Sequence, residues 1–319
     1  MNLKNKKCKV AFIGSGYMAC EHAKAFSGIE GVELDGIFSR TKVKAEHVAQ
    51  NFGISNVANS IDDLYKKSSA DLVVIAVSEL SVREVFREAL KYPWIILLEK
   101  PAGYSPDESM HIFEESIGKK NKVFVALNRR HYDSTRIAIE QLKHISSTRV
   151  VNVLDQEDIV AAQKIGKPEE VIRNWMYVNS IHLIDYFSMF CRGTINKVSN
   201  VLRWNPGDPR IVLSTIEYSS GDIGIYTAIW NAPGPWSVSI TTSEKMWQMR
   251  PLEKLSIQEF GVRGLSSVEL DRVDELFKPG LRFQAIEAVK AAAGLDNGLI
   301  DLHKYMESVS LTKKIYNSW

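Results

Sequence analysis

One junction constrains this chain more than any other. The apolar segment Lys9–Ile13 runs directly into Gly14-Ser15-Gly16-Tyr17-Met18-Ala19, and helical sequence follows from Tyr17 to Phe26. Gly14 permits the tight turn from strand into helix. Gly16, without a side chain, lets backbone approach a pyrophosphate. The helix N-terminus near Tyr17 offers free N–H groups and the positive end of a dipole. Ala19 stands where a third glycine often stands. This strand, glycine turn and helix form the opening of a dinucleotide-binding βαβ unit.

The sequence repeats that alternation. Val32–Phe38 reads as a second strand, and Lys42–Phe52 as a helix ended by Gly53. Ser60-Ile61-Asp62-Asp63 starts a short helix through Lys66 as a capping box. Asp71–Val77 is a strand, Ser81–Lys91 a helix and Trp94–Leu98 a strand. Ser105-Pro106-Asp107-Glu108 combines an N-cap, a first-turn proline and an N3 acid, opening a helix to about Ile117. Lys122–Leu127 is the next strand. Unbroken apolar strands alternating with helices predict a parallel sheet covered on both faces.

Beyond Asn128 the pattern changes. After a helix over Ser134–Lys143, strands follow one another at Thr148–Asp155, Asn196–Trp204, Ile211–Tyr218, Ile223–Trp230 and Trp236–Thr242. Ser219-Ser220-Gly221-Asp222 is a hairpin turn. Consecutive strands predict an antiparallel sheet. Helices over Val178–Phe190, Leu281–Ala293 and Leu299–Tyr316 complete this half. The expected division is 1–127 and 128–319.

Composition excludes several classes. The chain has 319 residues, 24% charged, with a net charge of +2 and no basic block, so nucleic acid is not an expected partner. Lys4, Lys6 and Lys7 precede an apolar stretch that stops at Gly14, which reads as a first strand and not a signal peptide. No apolar run approaches the roughly 20 residues of a membrane span. Cys8, Cys20 and Cys191 are an odd set without metal spacing, consistent with a reducing, cytoplasmic setting. The seven histidines show no metal-ligand spacing, and no metal is expected.

Two strand ends carry further chemistry. Ser39-Arg40, with Lys42 close by, ends the second strand where an NAD site often has an acid. A hydroxyl and a guanidinium suit a 2′-phosphate, which puts NADP ahead of NAD. Alternatively Arg40 is a solvated arginine, or stacks on adenine in an NAD site. Glu99-Lys100-Pro101 follows a buried strand, and a lysine there stands at the mouth of the sheet.

The set formed by Gly14–Ala19, Ser39-Arg40, the Asp71–Val77 strand, Glu99-Lys100-Pro101, Asn128-Arg129-Arg130 and His182-x-x-Asp185 resembles the Gfo/Idh/MocA family of oxidoreductases. The closing Lys314-Ile315-Tyr316-Asn317-Ser318 is similar to that family's last segment. The resemblance implies an α/β chain: an N-terminal Rossmann, doubly wound parallel sheet, then a C-terminal α+β domain with a large, mostly antiparallel sheet. It implies a nicotinamide cofactor, a sugar-like small-molecule substrate, and homodimers or homotetramers packed through the C-terminal sheets.

By the same resemblance Lys100 matches an active-site lysine, Pro101 a proline that often follows a cis bond, and His182 an acid/base histidine. Asn128 and Arg130 match a segment beside cofactor and substrate, and Asp185 an acid one turn after the histidine. Gly14, Gly16, Tyr17, Met18, Ser39, Arg40, Val77, Ser78, Glu99, Lys100 and Asn128 are the expected cofactor residues. Lys100, Arg130, Asn179 and His182 are the expected substrate residues. The sequence departs from the family at Val178, where an aspartate is common, in the lead-in Arg173-Asn174-Trp175-Met176-Tyr177, and in the loop Val77-Ser78-Glu79-Leu80-Ser81-Val82.

Hydride transfer to a carbonyl leaves negative charge on oxygen, and a proton must be delivered there. A histidine titrates near working pH and suits that task, and Lys100 would stabilise the charge. Asn179, three residues before His182, shares its helix face and would hold a sugar hydroxyl. Arg130 has the alternatives of pairing with Glu99 or Asp133. Trp175, Trp204, Trp230 and Trp236 are expected in the sheet core ahead of a sugar-stacking role. The leading expectation is an NAD(P)-dependent oxidoreductase acting at a secondary alcohol or ketone of a sugar or nucleotide-sugar. The alternative is a dinucleotide-binding sensor without turnover, motivated by Val178. A reductase of a non-sugar carbonyl or pyrrole-type pigment is a third reading.

Overall fold

The computed structural model describes residues 7–119 and 122–316. Lys4, Lys6 and the closing Asn317-Ser318 lie outside the described residues. The first stretch alternates β1 (Cys8–Ile13), α1 (Tyr17–Phe26), β2 (Val32–Phe38), α2 (Lys42–Phe52), β3 (Asn56–Ala58), α3 (Ile61–Lys67), β4 (Leu72–Ile75), α4 (Val82–Ala89), β5 (Ile95–Glu99), α5 (Pro106–Ser116) and β6 (Val123–Ala126). Local chemistry sets the helix ends. Ser60 accepts from the Asp63 N–H and Ser105 from the Glu108 N–H, while Gly53 takes the left-handed conformation after α2.

The second stretch contains α6 (Asp133–Leu142), β7 (Val150–Glu157), α7 (Ile159–Lys164), α8 (Glu169–Arg173), a π-helical turn (Met176–Ser180) and α9 (Ile181–Phe190). Strands β8 (Ile195–Leu202), β9 (Ile211–Tyr218), β10 (Ile223–Trp230), β11 (Ser237–Thr241), β12 (Lys245–Met249), β13 (Ser256–Glu259) and β14 (Ser266–Ser267) follow. The chain ends through α10 (Val273–Leu276), α11 (Leu281–Ala292), β15 (Ile300–Asp301) and α12 (Leu302–Tyr316). The helix expected over Val178–Phe190 is therefore a π turn followed by an α-helix, that over Leu299–Tyr316 opens with the strand β15, and β3, β12 to β14, α7, α8 and α10 are additions to the sequence reading.

The first sheet has the order β15-β6-β5-β4-β1-β2-β3. Its six opening strands are parallel in the 3-2-1-4-5-6 order of a dinucleotide-binding sheet. β1 and β4 flank the point where the order reverses. The second sheet runs β14-β13-β12-β11-β7-β10-β9-β8 and is antiparallel except where β10 pairs with β7. No helix among the described residues is long and apolar enough to cross a membrane.

The expected division of 1–127 and 128–319 needs correcting in its second part. The described chain up to Asn128 forms one compact unit together with Val273–Met306, and Arg129–Arg272 forms the other, joined by the stretch from Glu307. Two contacts draw the late stretch back. β15 adds antiparallel to β6, with Ile300 opposite Val125. α11 lays Leu281, Ala285 and Ala288 into the core of Val10, Phe12, Ala23, Phe26, Val74 and Leu97. Burial of three such side chains is worth several kcal/mol, at about 25 cal/mol per Å². Nothing local in 273–306 announces a partner so distant in sequence.

Candidate functional site

Each first-unit candidate sits at the carboxyl end of a parallel strand, where sheets of this order bind ligands. Gly14 follows β1 with φ +118°, and a Cβ there would lie 2.0 Å from the Ala76 carbonyl oxygen. Only glycine fits that turn. Gly16 differs: a Cβ would meet nothing within 4 Å, so open space lies over the backbone. It is the N-cap of α1 and offers no side-chain cap. An uncapped helix N-terminus facing open space can receive an anion such as a pyrophosphate. Tyr17 is exposed beside Lys278 (5.4 Å from ring centre), whereas the Met18 side chain packs against the core.

The loops beside this turn are linked by short polar contacts. Ser15 donates its hydroxyl to Ser39 Oγ at 2.8 Å, joining the first and second strand ends. The exposed Arg40 donates to Ser81 Oγ at 3.3 Å, and Ser81 lies 3.0 Å from Ser78 Oγ. Ser39, Arg40 and Ser78 are thus brought together with the fingerprint turn, and half-buried Val77 borders Ser78. The chain fits a dinucleotide: a glycine ledge, an uncapped helix end, and hydroxyl and guanidinium groups at the second strand end.

Glu99 and Asn128 direct their side chains into the protein. Glu99 is 3.1 Å from Nε2 of His22, a residue on the buried face of α1. Asn128 donates Nδ2 to the Pro279 carbonyl at 2.9 Å. Lys100 follows Glu99 half-buried, and its peptide bond to Pro101 is cis. The Ala102 N–H donates to Tyr305 Oη at 3.2 Å, fixing the turn after Lys100.

In the second unit His182 lies on α9, 6% exposed, one turn before Asp185. Arg130 pairs with neither Glu99 nor Asp133. Its Nε and Nη2 donate bidentately to Asp185, at 2.6 and 2.7 Å, and Ser308 donates to the same carboxylate at 2.9 Å. The fixed fork of a guanidinium matches a carboxylate better than any single contact could, and Asp185 supplies one on a packed helix. Asn179 donates both of its short contacts to Glu157, at 3.0 and 2.9 Å.

Glu157 is the residue the sequence reading passed over, and the signal was present. Val151, Val153, Asp155 and Glu157 alternate along one strand, so two acids occupy an apolar, inward-facing register. Trp175 donates its indole N–H to Glu157 at 2.7 Å, and the Arg129 guanidinium stacks 4.4 Å from the Trp236 ring centre. Trp204 and Trp230 pack together at 4.3 Å.

Residues 8–127 match the family described as an oxidoreductase family with an NAD-binding Rossmann fold, Gfo/Idh/MocA. A curated relative, glucose-6-phosphate 3-dehydrogenase of Bacillus subtilis strain 168, is 31% identical over 101 residues, which are 32% of this chain and 28% of the relative. UDP-N-acetylglucosamine 3-dehydrogenase from Acidithiobacillus ferrooxidans superposes with a TM-score of 0.77 at 16% identity, covering 97% of each chain. Levoglucosan dehydrogenase in complex with NADH and L-sorbose superposes at 0.76 and 16% identity, covering 98% of this chain and 96% of that one. Both superpositions show a shared fold.

Proposed function

We propose that this protein is an NAD(P)-dependent oxidoreductase that moves hydride between the cofactor and a secondary alcohol or ketone of a sugar or nucleotide-sugar. The observation that carries the reading is the glycine ledge at Gly14–Gly16, set at the reversal point of a 3-2-1-4-5-6 sheet with Lys100 two strands away. The α1 N-terminus holds the pyrophosphate. Ser39 and Arg40 receive a 2′-phosphate, which favours NADP over NAD. When bound, the nicotinamide supplies or accepts the hydride.

The chain's own residues manage the charge and the proton. Lys100 Nζ donates to the reacting oxygen and stabilises the negative charge that develops there. His182 gives that oxygen its proton in reduction and removes it in oxidation. Two similar proteins are named as 3-dehydrogenases, which makes a sugar 3-hydroxyl the first position to test. The half-buried outer face of the second sheet, including Leu154, Ile225 and Ile229, is where we place contacts between copies in a homodimer or homotetramer.

Calorimetry with NADPH, NADP, NADH and NAD tests the cofactor, followed by absorbance at the reduced nicotinamide band with glucose 6-phosphate, UDP-N-acetylglucosamine and levoglucosan. Tight NADP(H) binding with turnover of a sugar is the expected result. Binding without hydride exchange to any sugar would favour the sensor reading that Val178 motivates. Binding of no dinucleotide would overturn both.

A further inference from the structure

Glu157 closes β7 on its inward face and is 1% exposed. A carboxylate buried to that degree costs several kcal/mol unless hydrogen bonds replace its water. Here one short stretch of chain provides them. Trp175 Nε1 donates to Oε2 at 2.7 Å, and Ser180 Oγ donates to Oε1 at 3.0 Å. Asn179 Nδ2 donates to Oε1 and Oε2 at 3.0 and 2.9 Å.

The π-helical turn Met176–Ser180 accounts for this convergence. In an i→i+5 turn, residues i+4 and i+5 flank residue i, so 175, 179 and 180 share a face. In an α-helix residue i+5 would point about 140° away from residue i. The turn runs straight into α9, which carries His182.

Asp155 is two residues away on the same face, bonded to Tyr226 Oη at 2.7 Å. Burial raises both acids, Glu157 the further because Asp155 lies beside it. The indole N–H is a donor only, so the oxygen it meets must accept. Asn179 touches the same oxygen, and its Nδ2 donates there as well as to Oε1. The Asn179 carbonyl Oδ1 is turned away from Glu157, on a side chain that is only half-buried.

We infer that Glu157 is a positioning residue: it orients the Asn179 amide so that Oδ1 is offered as an acceptor to a hydroxyl of the sugar. This rests on the oxidoreductase reading above. A site with a fixed acceptor discriminates against an analogue whose hydroxyl is missing or methylated, because that analogue offers the acceptor no donor.

The test uses the full chain labelled with 15N. The Asn179 side-chain amide and Trp175 indole signals are assigned by their loss in Asn179→Ser and Trp175→Phe. In Glu157→Leu both signals should shift, and exchange of the Asn179 amide with water should quicken at least ten-fold. Glu157→Gln keeps one acceptor oxygen and should fall between, and it serves if the leucine variant does not fold. With whichever of glucose 6-phosphate, UDP-N-acetylglucosamine or levoglucosan the wild type oxidises, Glu157→Leu should raise KM at least ten-fold while the NADP(H) dissociation constant stays within two-fold. Unchanged resonances, or an unchanged KM, would overturn the inference. A wild type that oxidises none of the three breaks the oxidoreductase reading and the sugar-acceptor role of Asn179 with it. The resonances would still report separately whether Glu157 holds the amide.

Discussion

At the carboxyl ends of the first sheet, Ser15 meets Ser39 and Arg40 meets Ser81 in contacts that lie near solvent. In the second unit Asp155, Glu157, Asp185 and Asp222 are all 1% exposed or less, and each is held by donors from other elements. The first arrangement leaves polar groups and backbone for a ligand. The second uses its polar groups mainly to define the protein's own packing. A buried polar group must be satisfied internally, whereas a rim group gains little until a ligand arrives. Substitutions in the two regions should therefore fail in different ways.

The largest expected effect would sharpen that contrast. Lys100→Ala should lower kcat about a thousand-fold or more on the sugar that is turned over, while cofactor affinity stays within a few-fold. Denaturant unfolding should show less than about 0.5 kcal/mol of lost stability. Steady-state kinetics with calorimetry check this, and an unaffected kcat would remove Lys100 from the chemistry.

Gly14→Ala should break the contrast at one point, because Gly14 is both ledge and tight packing. A methyl group 2.0 Å from the Ala76 carbonyl, on a backbone of positive φ, should cost about 3 kcal/mol and abolish dinucleotide binding together. Unfolding curves and calorimetry on one preparation read both losses.

Asp222→Asn should cost stability alone. Burial pushes this carboxyl up, but the Arg192 side chain and the backbone N–H groups of Arg149 and Arg192 outweigh it and hold it at about 2. Its folded value lies below the unfolded one of about 4, so its contribution is present above that pH and fades as pH falls toward about 2. The variant should be about 2 kcal/mol less stable at pH 7, with the gap narrowing in acid. Cofactor affinity should not change.

Arg40→Ala is expected to have the smallest and most selective effect. NADP(H) should bind about ten-fold more weakly, with NAD(H) affinity and unfolding unchanged. Equal weakening of both cofactors would point to adenine stacking, and no change would mark Arg40 as a solvated arginine.

What the sequence made legible follows the same division. Ser60 and Ser105 cap helices with partners three residues away, so their patterns could be read directly. The glycine turn was legible because its constraint is steric and local. Arg130 was not, since its partner Asp185 is chosen by the packing of a helix far along the chain. The π turn was hidden because Met176–Phe190 is mostly apolar and carries no change of period. The short strands β13 and β14 lack the alternation that marks a half-buried strand, and in β12 only Trp247 and Met249 show it. The candidate site was readable as strand ends and motif residues, and unreadable where internal partners decide which atoms remain for a ligand.

The late return of residues 273–306 bears on how the gene can be dissected. A fragment stopped after Asn128 would contain every glycine of the fingerprint and all six parallel strands. It would also leave β6 as a raw edge, its N–H and C=O groups open to any passing strand, and a bare apolar groove where Leu281, Ala285 and Ala288 belong. Such a fragment should aggregate in expression. A nucleotide-binding module cut from this protein becomes self-sufficient only when 273–306 is spliced back through a short linker.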